Sequence, residues 1–198
     1  LERMAATDAV PIINLLSDVA HPMQALADLL TIEQEIGLAD VGRVAYVGDA
    51  NNVWRSLAIG CSMLGIDTAV ASPPDHGPTE MDTDHVLALG GALLVTSDPQ
   101  EAVNGADVIY TDVWTSMGQE SQKEERLDAF ERFTVDSTLM ADASERGIFM
   151  HCLPAHRGEE VTNEVMESSR SKVFLQAHNR MHSARGLLSW LVGEAMEG

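Results

Sequence analysis

The stretch VAYVGDANN, residues 44–52, runs from a short β-rich apolar segment into a glycine, an aspartate and two asparagines. Such a break reads as a buried strand meeting a turn, and the helical pattern from Val53 to Leu64 completes a strand–loop–helix unit. The unit recurs down the chain. DTAVASP (67–73) is a second strand closed by Pro73-Pro74, ALLVTSD (92–98) a third, DVIYTDV (107–113) a fourth and GIFMHCL (147–153) a fifth. Helical patterns separate them near 81–90, from Pro99 to Asn104 and across 122–143. Ahead of the first strand, residues 21–36 repeat Leu26, Leu29, Leu30, Ile32 and Ile36 at helical period. Behind the fifth, a helix near 160–169, a short strand KVFLQA (172–177) and a last helix from His182 to about Met196 are expected. Apolar strands alternating with helices predict an α/β domain with a doubly wound, Rossmann-like parallel sheet and helices on both faces. In such domains ligands collect beyond the carboxyl ends of the strands.

Composition narrows the class. The 198 residues suit a single domain, and 45% hydrophobic content is ordinary for a globular protein. No apolar run approaches the roughly 18 residues of a membrane span, and LERMAATDAV at the start shows no signal-peptide pattern. Cys61 and Cys152 are too few and too plainly spaced for a disulfide framework or a CxxC site, so a cytoplasmic setting is expected. Asp and Glu total 31 against 12 Lys and Arg, a formal charge of -19, and only Lys123 and Lys172 are lysines. That surface repels nucleic acid and anionic membranes, which excludes both as partners. An acidic, lysine-poor composition resembles that of proteins from salt-loving microbes. The charge is read as adaptation to a saline cytoplasm.

The strand ends supply the candidate chemistry. VGDANN (47–52) lacks the glycines of a dinucleotide loop, because Ala50 and Asn52 occupy expected glycine positions. Of its two asparagines, one could cap the next helix while the other meets a ligand carboxylate. Asp112, followed by Ser116, Met117 and Gly118, could bind an ammonium group; a loop shaped only by turn geometry would read the same. Cys152 stands between His151 and Leu153-Pro154. The H-C-x3-H spacing matches no recognised zinc pattern, and a buried inert cysteine is the commoner outcome. A cis bond at Pro154 would turn the backbone sharply. HPMQ (21–24) opens the first helix with proline in its first turn, and HNRMH (178–182) places Arg180 just ahead of the last helix.

Together, HPMQ, VGDANN, DVWTSMGQE, HCLP and NRMH, in that order, resemble the ornithine carbamoyltransferases over nearly the whole chain. The pair DxxxSMG and HCLP separates those enzymes from aspartate transcarbamoylase-like relatives. The chain has no S-T-R-T loop, the mark of the family's carbamoyl-phosphate domain, so residues 1–198 are expected to be the ornithine-binding domain without that first domain.

The resemblance implies transfer of a carbamoyl group from carbamoyl phosphate to the ornithine δ-amine, with no cofactor and no metal, in trimer-based homo-oligomers. It assigns His21, Gln24 and Arg180 to carbamoyl phosphate, where they would stabilise charge on the carbamoyl oxygen. Asn52 would hold the ornithine α-carboxylate and Asp112 the α-ammonium, with Ser116 and Met117 completing that end. Cys152 and Leu153 would line the reacting centre, Cys152 acting with Asp112 on the proton. Two positions depart from the pattern: Ala50 for a usual glycine and His178 for a usual glutamate. The remaining readings are a transcarbamoylase for a related amine or acylated ornithine, and a non-catalytic amino-acid-binding domain.

Overall fold

Five apolar runs extend side by side: Arg43–Val47 (β1), Asp67–Ala71 (β2), Leu93–Thr96 (β3), Val108–Thr111 (β4) and Ile148–His151 (β5). The structure is a computed structural model and describes residues 1–115 and 120–197. All pairings are parallel, in the order β3-β2-β1-β4-β5. The helices are Glu2–Ala5 (α1), Pro22–Glu35 (α2), Asn52–Met63 (α3), Glu80–Ala88 (α4), Pro99–Val103 (α5), Lys123–Phe130 (α6), Ser137–Ala141 (α7), Asn163–Met166 (α8) and Val173–Glu197 (α9). From β1 the chain winds outward to β2 and β3, then returns to place β4 on the other side of β1. The direction of winding therefore reverses between β1 and β4, and a crevice opens there. The expected doubly wound sheet is borne out.

Alternation along each strand builds a core on both faces. Val44 and Tyr46 of β1 pack with Val70, Tyr110 and Met150 against Trp54 and Leu57 of α3 and Ile32 of α2. Ala45 and Val47 face the other way, with Ile109 and Phe149, onto Val103 of α5, Phe130 of α6, Met140 of α7 and Val165 of α8. Each such side chain taken fully from water stabilises by about 1.5–3 kcal/mol. The rings of Tyr46 and Tyr110 stack with centroids 5.5 Å apart, which adds roughly 0.5–1.5 kcal/mol. β3, one of the two edge strands, is only half-buried, while β5 at the other edge is buried.

Two expectations are corrected. Residues 173–177 of the expected strand are helical, α9 starting at Val173, so Arg180 lies inside the last helix and not ahead of it. The reason is spacing: Val173, Gln176 and Asn179 are buried at helical intervals, while Phe174 is exposed. The strand-like signal belongs slightly upstream, where Arg170 and Lys172 exchange backbone hydrogen bonds with Phe149 before the chain turns into α9. In α2, Leu26 is exposed, and the buried face is Gln24, Ala27, Asp28, Thr31 and Ile32. Polar residues sit on that face because Asp28 and Thr31 accept from Gln176 and Asn179 of α9, and Gln24 donates to Asp28.

Candidate active site

Three strands end at one cavity. It measures about 620 Å³ and is lined by residues that include His21, Asn52, Asp112, Cys152, Leu153 and Arg180. Six expected site residues therefore meet at the β1/β4 reversal. Ser116 and Met117 lie outside the described residues.

After β1, Gly48 adopts φ +137°, a conformation open to glycine, and turns the chain toward Asn51. Asn51 caps α3, its Oδ1 accepting from the amides of Val53 and Trp54. Its Nδ2 donates to Asp112 Oδ2 at 2.8 Å. Asn52 is the asparagine on the cavity wall, and its amide donates to the Ser17 carbonyl at 2.7 Å. Asp112 follows β4 and is buried. Its Oδ1 accepts from the Val113 amide at 2.8 Å and from the Cys152 thiol at 3.0 Å. Burial, then the charge and hydrogen bond of Asp112, push the Cys152 thiol well above its ordinary pKa. At neutral pH the sulfur is a protonated donor, not a thiolate nucleophile.

The turn after β5 is held from behind. His151 is fully buried; its Nδ1 accepts the Leu153 amide at 2.9 Å, which leaves Nε2–H to donate to Glu160 at 3.0 Å. The same Glu160 oxygen accepts the His156 amide at 2.6 Å. The Leu153–Pro154 bond is cis and Leu153 has φ +58°. The His151 amide donates to Gln176 of α9 at 2.9 Å.

Gln176 connects the turn to a buried acid. Its amide donates to Asp28 Oδ1 at 2.7 Å, and Gln24 donates to the same oxygen at 2.8 Å. Burial raises Asp28 to about 7, against the opposing pull of those amides. Gln24 is accordingly buried and turned toward Asp28, not on the cavity wall, with its Oε1 unpartnered among the described residues. His21 stands at the N-cap position of α2 without a side-chain cap bond; its Nδ1 donates to the Leu15 carbonyl at 2.7 Å and its backbone amide to Ser56 at 2.8 Å. Burial lowers the pKa of the ring, the Leu15 carbonyl opposes this, and Arg180 adds to the lowering. The neutral ring thus keeps Nε2 as an acceptor. Arg180 is exposed on the far wall, and no carboxylate pairs with it among the described residues.

Asp28, Gln176 and the His151–Glu160 pair were not singled out from sequence; Asn51 was expected only as one of two asparagines that could cap α3, without its bond to Asp112. Asn51 had a signal in its adjacency to Asn52. Asp28 had one as an acid inside an apolar helical stripe, four residues from Gln24. Metal-capable groups also occur: Asp112, His151 and Cys152 form one cluster and His156, Glu159 and Glu160 another. In the first, His151 Nδ1 and the thiol proton are already committed to hydrogen bonds, which leaves no free donor set.

A parallel sheet with a charged cavity at its winding reversal defines an α/β ligand-binding domain, and the Asp112–Cys152 pair suits it to an amino-acid amine. The chain belongs to the aspartate/ornithine carbamoyltransferase family: residues 42–191 match its Asp/Orn binding domain, and residues 1–34 match its carbamoyl-P binding domain. The chain is 46% identical over 196 residues to an ornithine carbamoyltransferase of Methanoculleus marisnigri, covering 99% of this chain and 63% of the relative. It is 48% identical over 194 residues to one of Haloquadratum walsbyi, covering 98% and 64%. A solved ornithine carbamoyltransferase from Pyrococcus furiosus superposes with TM-score 0.88 at 47% identity, over 95% of this chain and 61% of that one. One from Campylobacter jejuni gives 0.91 at 33%, over 98% and 65%. The chain thus spans less than two thirds of the length of these relatives.

Proposed function

We propose that this chain is the ornithine-binding part of an ornithine carbamoyltransferase, in which the δ-amine of ornithine takes the carbamoyl group of carbamoyl phosphate to give citrulline and phosphate. The observation that carries this is the Asn51–Asp112–Cys152 cluster at the sheet's winding reversal. Asp112 receives the α-ammonium, and Asn52, with Ser116 and Met117, the amino-acid end. An alkyl amine of pKa near ~10 arrives protonated, so the site must take a proton before or during attack. The protonated thiol of Cys152 links the amine to Asp112, and the carbonyls of the Cys152–Pro154 turn orient the amine without carrying charge.

His21, Gln24, Leu153 and Arg180 serve carbamoyl phosphate. The free acceptor His21 Nε2 suits the carbamoyl NH2 and Arg180 suits the oxygen on which charge grows; Gln24 Oε1, unpartnered but off the cavity wall, reaches the substrate only when its side chain turns from Asp28. This refines the sequence-based expectation, which gave all three donors to the oxygen. Arg180 is the one fixed cation among the described lining residues, too little for a phosphate dianion. Turnover therefore needs a carbamoyl-phosphate domain, and the parent enzyme is a trimer-based homo-oligomer. No cofactor is involved. The setting is a saline cytoplasm, so the melting temperature rises as KCl screens the -19 charge.

The test is a substrate panel. The chain alone is expected to form no citrulline, to bind ornithine by calorimetry, and to reject Nα-acetylornithine, which has lost the ammonium that Asp112 receives. Equal binding of the acetylated amine would favour a transcarbamoylase for an acylated ornithine. No binding of either by the folded chain would remove the proposal.

A further inference from the structure

We infer that His178 and His182 form a two-imidazole site for a borderline divalent transition metal on the outer face of α9. The two are one helical turn apart. Both are exposed, and their rings meet with centroids 4.7 Å apart and planes 69° to one another. Residues four apart on a helix share a face, with Cβ atoms about 5–6 Å apart, and two histidines at that spacing are a known way for a helix to grip zinc. With metal–nitrogen bonds of about 2.0–2.1 Å, each ring centroid lies roughly 3.2 Å from the ion, so a tetrahedral pair of rings stands about 5 Å apart. The observed 4.7 Å is close to that separation, and exposed rings are free to turn their nitrogens toward a shared ion.

The face is separate from the ligand cavity. Val173, Gln176 and Asn179 turn inward, Arg180 lines the cavity, and the histidine pair lies on the outer stripe with Met181 and Arg185. Among the described residues neither ring has a hydrogen-bond or ion-pair partner, so no protein contact must be broken. Arg185 lies one turn beyond His182 and opposes a cation locally, while the overall charge of -19 raises the concentration of cations around the chain. Imidazole donors select nickel, copper and zinc over magnesium and calcium. Two protein ligands leave the remaining positions to water, so binding is reversible and sensitive to chelators.

The probe is NiCl2, titrated calorimetrically into the chain in KCl at neutral pH. One saturable equivalent is expected. It should disappear in His178→Gln and in His182→Gln, persist in His85→Gln, whose exposed ring on α4 stands alone, and be absent with MgCl2. Ni2+ should also raise the melting temperature of the unmodified chain but not of His178→Gln, since an ion that binds only the native helix stabilises it. Binding that survives either α9 substitution would place the ion at the Asp112 or Glu160 clusters instead and overturn the assignment. So would the absence of saturable binding.

Discussion

The two walls of the cavity are built differently. On the amino-acid wall, Asp112, Asn51 and Cys152 hold one another by hydrogen bonds of 2.8 and 3.0 Å, and each is fixed by a strand end or a helix cap. On the proposed carbamoyl wall, Gln24 is turned away toward Asp28 and Arg180 lines the cavity with no carboxylate partner among the described residues. The described part of the first wall is held together by residues of this chain. The second is a set of anchored but unanswered groups, which is what half of a two-domain site should look like. Preorganisation belongs where one chain supplies every partner.

The largest effect that can break this contrast is on Asp28. Its folded pKa, about 7, lies above the ordinary carboxylate value. A raised pKa means the folded state holds the proton more tightly, so this group's stabilisation is complete below about pH 4 and is lost as pH rises through 7. That loss is at most about 4 kcal/mol. Asp28→Asn should flatten the urea-midpoint profile across that window; an unchanged slope would show that Gln24 and Gln176 are not held by a titrating acid. Next is Asp112→Asn, expected to weaken ornithine by about 3 kcal/mol, a factor on the order of 100. The same change should speed labelling of Cys152 by a thiol reagent severalfold, since it removes the negative charge that holds the thiol's pKa up. Labelling no faster than in the unmodified chain would uncouple the pair.

Asn51→Ala removes a helix cap and one partner of Asp112, and should cost about 2 kcal/mol of stability by urea denaturation. The smallest effect sharpens the contrast from the other side. Arg180→Ala should change stability by no more than about 0.5 kcal/mol and leave ornithine affinity unaltered, because the guanidinium is exposed and pairs with no carboxylate among the described residues. A clear loss of ornithine binding would mean the two walls are not separable.

Much of this was legible before the structure. Continuous apolar runs identified all five strands, and because the sheet is parallel their carboxyl ends pointed to one rim. His21, Asn52, Asp112, Cys152, Leu153 and Arg180 all reached it. What stayed hidden were pairings between distant segments. Asp28 and Gln176 stand 148 residues apart, and nothing local distinguishes a buried glutamine from an exposed one. The start of α9 was misread for a similar reason: Val-Phe-Leu favours a strand locally, while the buried positions 173, 176 and 179 are chosen by packing against α2 and β5.

The most direct test of a finished amino-acid wall is calorimetric titration of ornithine into this chain in high KCl, with and without carbamoyl phosphate. Saturable ornithine binding is expected without carbamoyl phosphate, with little gain when it is added. Binding that appears only with carbamoyl phosphate, in a chain shown to be folded by circular dichroism, would contradict it.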